Sequence, residues 1–191
     1  KFFKGTKILE DQKFCKKYMG QFPVISITLK DVLGDDFESA YLKLAEVVSA
    51  KANEFSFLRE SPYLNEMEKA KFNLLCDEIY LKKADKQAVS YVTSAIKSLS
   101  LMLYKHFKKQ VYILIDEYDV PLAKAQEHGY HKDMVTLMSS FLGFLKDPQR
   151  DPEKDTSIIS KVVITGCLKV AKNSIFTGVN NFSVNTVFNR E

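Results

Sequence analysis

The stretch VYILIDEYDVPL, Val111 to Leu122, organises the reading of this chain. Its first four or five residues are apolar without polar alternation, which suits a parallel strand buried on both faces. Asp116 and Glu117 then fall where that strand emerges at its carboxyl end, the edge at which open parallel sheets bind ligands. Two adjacent acids there repel one another unless a cation or a proton compensates. Asp119 and Pro121 follow, and they predict a turn into a short helix through Leu122 and Ala125, ended by Gly129.

Working outward, two further apolar runs read as strands: Phe22–Leu29 (FPVISITL) and Lys161–Thr165 (KVVIT). A weaker candidate, Ser183–Phe188 (SVNTVF), alternates. Between the strands the period becomes helical. Asp35 with Glu38 reads as a capping box, followed by a stripe of Phe37, Tyr41, Leu44, Val48, Ala52 and Phe55. Ser61-Pro62 marks a break. Leu64–Leu81 is predicted as one helix with Met67, Phe72, Leu75 and Ile79 inward. Gln87–Phe107 is predicted as a second, with Val89, Val92, Ile96, Leu99 and Leu103 inward. Lys132–Leu145 carries Met134, Leu137, Met138, Phe141 and Leu145. The segment Asp147–Ser157, with two prolines and mixed charge, reads as an exposed loop. Strands separated by helices give an α/β fold with a mainly parallel sheet. The helices between Asp35 and Phe107 exceed one crossover and predict a helical elaboration on one side of that sheet.

The composition narrows the function classes. At 191 residues the chain suits a single α/β domain, and the scarcity of glycine (7) and proline (5) argues against long disordered stretches. The net charge of +4 neither requires nor excludes nucleic acid, since a footprint needs clustered cations. Cys15, Cys76 and Cys167 are odd in number and far apart, which excludes a self-closing disulfide framework and a CxxC zinc knuckle. A reducing, cytoplasmic setting is expected. No apolar run approaches the roughly 18 residues of a spanning helix. The opening KFFKGTKILEDQ turns charged before a signal-peptide core forms and reads as the end of a helix, so the expectation is a domain entered partway.

The acidic pair has two readings. Asp116 and Glu117 either end a strand and cap the next helix, or they form the Walker B arrangement of nucleoside triphosphatases. In the latter the Asp orients magnesium through water and the Glu polarises the attacking water. The strings LIDEYDVPLAKAQEHGY and VVITGCLKVAKNSIFTGVNNF, with FCKKYMGQFPVISITLKDV upstream, resemble the bacterial AAA-ATPase-like family. Its members are often joined to a PD-(D/E)XK nuclease-like domain. The resemblance spans essentially the whole chain and implies one incomplete domain over residues 1–191, with ATP and Mg2+ as ligands of the intact family. It makes Asp116 the magnesium-orienting acid, Glu117 the water activator and Thr165 the polar sensor-like position near the γ-phosphate. Where the family commonly has an Arg, this chain has Lys169, which keeps the charge but loses bidentate phosphate geometry.

A phosphate-binding loop needs GxxxxGK[S/T], whose backbone N–H groups and Lys cradle the phosphates. None of the seven glycines fits that spacing. The resemblance places the loop just upstream of Lys1, so the expected fold is of the P-loop type with the P-loop strand missing. The missing strand would lie between the equivalents of Lys161–Thr165 and Ser183–Phe188, exposing an edge that invites self-association, rearrangement or a partner segment. Without the cradle, ATPase activity by this chain alone is expected to be negligible. A non-enzymatic interaction scaffold is the alternative, and a metal-dependent nuclease using Asp116, Glu117 and Asp119 is a third. Nucleic acid as a partner rests on the family resemblance alone.

Lesser signals carry plainer expectations. His128 and His131 read as a surface loop rather than a metal pair. Lys105, Lys108 and Lys109 around His106 and Phe107 form a small basic patch with two readings, a contact for a nucleic-acid backbone or, preferred, a solvated helix C-terminus. Cys167 is expected to be a packed core thiol. Gly178 with Asn180 and Asn181 in Ile175–Phe182 suits a tight turn.

Overall fold

A computed structural model describes residues 3–147, 149–151 and 153–167. The expected strand Ser183–Phe188, the Ile175–Phe182 loop and Lys169 lie outside them.

The chain enters through helix α1 (Gln12–Tyr18) and strand β1 (Val24–Thr28), then the long helix α2 (Phe37–Glu54). Helices α3 (Glu66–Cys76), α4 (Glu78–Leu81), α5 (Lys86–Thr93) and α6 (Ala95–Phe107) follow before strand β2 (Val111–Asp116). Helices α7 (Val120–Glu127) and α8 (His131–Phe141) lead to strand β3 (Ile159–Ile164). The sheet runs in the order β1-β2-β3 with both pairings parallel. The mixed α/β class, the parallel sheet and the helical elaboration thus match the sequence reading. Among the described residues β1 and β3 are the sheet's edges.

Among the described residues the sheet is covered on one face, not on both. Ile25, Ile27, Ile113 and Ile115 point into the core and are essentially inaccessible. Their neighbours Val24, Leu114 and Val163 are 42%, 40% and 42% exposed. Helices α2 and α6 contact the sheet through β1 and β2 respectively. An apolar run does not reveal how many faces are covered, because cover comes from distant chain segments.

The helices differ from the sequence reading at their ends. Asp36, not Asp35, caps α2: its carboxylate accepts from Ser39 N at 2.7 Å. With Phe37 opening the helix, Glu38 sits one residue too early to complete a box. The capping box lies instead at α3, where Asn65 accepts from Glu68 N and the Glu68 carboxylate returns to Asn65 N. The Leu64–Leu81 segment is two helices, because Asp77 leaves helical geometry and its side chain caps Tyr80 N. That break rotates the stripe. Phe72 and Leu75 are buried and Ile79, past the break, is 81% exposed, while Met67, five residues before Phe72 in the same helix and so off its face, is 83% exposed. Ser94 likewise divides Gln87–Phe107, although Val92, Ile96, Leu99 and Leu103 stay inward and Val89 is half-buried.

The Asp147–Ser157 segment is not a free loop. Arg150 and Ser157 bridge in antiparallel fashion, and Gln110 Nε2 donates to Ser157 O at 2.7 Å. Asp151 is buried, accepting from the Tyr104 hydroxyl and from Glu153 N at 2.9 Å. No helix among the described residues is long and apolar enough to cross a membrane.

Candidate functional site at the carboxyl end of the sheet

Parallel pairing aligns one row of side chains across the sheet tip. Thr28 pairs with Asp116, and the chain beyond β3 continues the ladder as Thr165 N donates to Ile115 O at 2.9 Å. Asp116 is therefore at the exposed end of the middle strand. The Thr165 hydroxyl donates to Asp116 Oδ1, and Glu117 N reaches the same oxygen at 3.0 Å. The structure thus brings two predicted site residues into direct contact, and Glu117 adjoins them.

Glu117 leaves the strand with φ of 55°, in the left-handed region. A non-glycine residue there carries strain of roughly 1–2 kcal/mol. The kink reverses the chain at once, so Tyr118 N donates to Thr165 O at 3.2 Å and Val120 N to Glu117 O. Among the described residues no Lys or Arg pairs with either acid, and the Asp116 carboxylate is held by the Thr165 hydroxyl and a backbone N–H.

Asp119 does something else. It is 4% exposed, and its Oδ2 accepts from Cys167 N at 3.0 Å, tying the turn after β2 to the chain leaving β3. Gly166 makes this approach possible: a Cβ there would lie 2.5 Å from Asp119 Oδ1 and 2.6 Å from the Tyr118 ring. Burial raises the Tyr118 phenol above its ordinary pKa, with the Asp119 charge adding to it. Cys167, expected in the core, is exposed because it lies past the strand's end, where its N–H is held by Asp119. Sequence reasoning did not find the roles of Gly166 and Asp119. The signal available was a glycine immediately after the third strand, but its partner is remote in sequence.

The oxygen donors at this strand tip are of the type that hard divalent cations take. Mg2+ prefers oxygen ligands, keeps several waters and uses one or two carboxylates beside substrate phosphates rather than a protein cage. Asp116, hydrogen-bonded by Thr165 and with Glu117 adjoining, would be the carboxylate to hold such an ion. Among the described residues no group of three or more His, Cys, Asp or Glu is placed to hold a metal, whether around His128 and His131 or by adding Asp119 to the pair. Nothing in the 191 residues has the glycine-lysine pattern of a triphosphate cradle.

A family model described as predicted AAA-ATPase, AAA-ATPase-like, matches residues 1–176. No curated protein and no solved structure matches the chain.

Proposed function

Because the chain belongs to the predicted AAA-ATPase-like family, we propose that it supplies the metal-handling half of a nucleotide-binding domain whose ligands are ATP and Mg2+. The observation that carries this reading is Asp116 at the exposed carboxyl end of the middle parallel strand, hydrogen-bonded by Thr165. Asp116 would hold magnesium through water, and Thr165 fixes that carboxylate with its one O–H, a bond it would exchange to donate to the γ-phosphate. Glu117 polarises the attacking water from its kinked position. Lys169 neutralises phosphate charge as a point cation. Bound magnesium supplies charge neutralisation at the phosphate oxygens.

No residue of this chain performs the work of the phosphate cradle, so hydrolysis requires a phosphate-binding loop from another segment. The chain alone is expected to release no phosphate from ATP in a malachite-green assay. A segment carrying GxxxxGK[S/T], supplied in cis or in trans, is expected to restore Mg2+-dependent turnover that Glu117→Gln lowers at least about 100-fold. Turnover by the chain alone, abolished by Glu117→Gln, would sink the division of labour.

A second reading is favoured by the sheet face that the described residues leave open. The outer edge of β3 and the face of Val24, Leu114 and Val163 suit association with another copy or with a donated strand. Light scattering after size exclusion tests it, an oligomer broken by Val163→Lys being the expected result and a strict monomer the opposing one.

A further inference from the structure

At the opposite, amino-terminal end of the sheet, two segments carry lysines and aromatic rings with no acid among them. Residues 12–22, QKFCKKYMGQF, hold Lys13, Lys16 and Lys17. Residues 105–112, KHFKKQVY, hold Lys105, Lys108 and Lys109. These six lysines exceed the whole chain's formal net charge of +4, so everything else is slightly acidic. A cationic surplus gathered in one place is the footprint of a polyanion, whereas a dispersed surplus is not.

The fold makes neighbours of the two segments. Helix α1 leads into β1 and α6 into β2, and those strands pair from Val24 opposite Tyr112. Lys109 Nζ donates to Gln21 Oε1 at 3.3 Å, joining the segments directly. Lys105 is paired with Glu68. Among the described residues the other five lysines make no ion pair.

Rings interleave with these cations. From α1 to β2 the centroids run Phe14–Tyr18 at 4.6 Å, Tyr18–Phe22 at 6.3 Å and Phe22–Tyr112 at 5.0 Å. Beyond α6, Phe57 meets Phe107 edge-on at 5.6 Å, and Lys108 Nζ lies 4.8 Å from the Tyr63 centroid. Phe14, Tyr18, Phe57, Tyr63 and Phe107 are between 38% and 54% exposed. Solvated lysines at a helix end explain the charge, but they do not explain five exposed aromatic rings.

We propose that this end of the sheet binds single-stranded nucleic acid, with the lysines meeting phosphates and the exposed rings stacking on unpaired bases. Aromatic faces set in a basic surface suit single strands, since a duplex hides its base faces. The surface is about 20 Å from Asp116, the length of β2, so its occupancy is independent of the nucleotide reading.

Fluorescence anisotropy with the full chain and a labelled oligothymidylate of about 20 nucleotides tests this, beside a duplex of equal length. The expected result is tighter binding of the single strand. Phe57→Ala and Phe107→Ala should each weaken it about five-fold or more, leaving the dependence of log K on log salt unaltered. Lys17→Ala or Lys108→Ala should instead lower that salt slope by about 0.7 each. Tyr63→Ala, at the most exposed ring, gives the same readout should either Phe variant melt early. Four results would overturn the proposal: no binding at low salt, a duplex bound as tightly, ring variants without effect, or tighter binding to an acidic peptide or to phosphatidylserine vesicles.

Discussion

Gly166 and Glu117 make opposite demands on the backbone within one small site. Gly166 must lack a Cβ because Asp119 and Tyr118 occupy that space. Gly166→Ala is expected to cost about 1–3 kcal/mol in urea denaturation, through displacement of Asp119 from Cys167 N. An unchanged midpoint would mean that the turn yields freely. Glu117, at φ 55°, occupies a conformation that glycine adopts more readily. Glu117→Gly should therefore be more stable than Glu117→Ala by about 1 kcal/mol, although both lose the carboxylate. Equal stability would show that the kink relaxes. A strained acid at a strand tip is the pattern in which local stability is given up for placement of a chemical group. The place of Asp116 and Glu117 at a strand tip was legible in the chain because a strand end and an acidic pair are local features, whereas Thr165, which meets Asp116, entered through the family resemblance. The Thr165–Asp116 hydrogen bond and the Asp119–Cys167 tie were not legible, since each joins residues far apart in sequence.

Helix ends show where local reading stops. The apolar stripe of α2 could be read directly, and Tyr41, Leu44, Val48 and Ala52 are all buried. The stripe drawn through Met67 and Ile79 fails at both ends: Ile79 lies beyond Asp77, a residue that favours caps over helix interiors, and Met67 stands five residues before Phe72, a spacing that leaves the helical face. Tyr41 shows how α2 is held to that irregular neighbour: its hydroxyl donates to Leu81 O at 2.9 Å from a buried position. Burial, with Asp85 and Tyr80 contributing, pushes this phenol up to about 12, so it stays a neutral donor. Tyr41→Phe should cost about 1–3 kcal/mol, since Leu81 O is left buried without its partner. A loss below about 0.5 kcal/mol in thermal unfolding would indicate that water replaces the hydroxyl.

For the whole molecule, the tie between Asp151 and α6 couples the last crossover to the helical layer. The Tyr104 hydroxyl, then the N–H groups of Glu153 and Lys154, hold the Asp151 carboxyl below its ordinary value of 3.8. A folded-state pKa below the unfolded one stabilises the fold above that ordinary value, and the benefit is lost as pH falls through the folded value. Asp151→Asn is expected to flatten the acid limb of stability against pH, and an unaltered limb would contradict the tie. The covered face of the sheet offers a second check. Ile113→Lys should unfold the chain, whereas Leu114→Lys, one residue along and on the open face, should leave its stability nearly unchanged. Alternation of apolar runs with helical periods was enough to establish an α/β chain with acids at a strand tip, because those patterns arise between residues a few positions apart. Which face of the sheet is covered, which aspartate ties the turn, and that two lysine-rich segments share one end all depend on contacts between distant residues. Only the folded arrangement supplies those, since chain closure, and not local preference, sets what meets what.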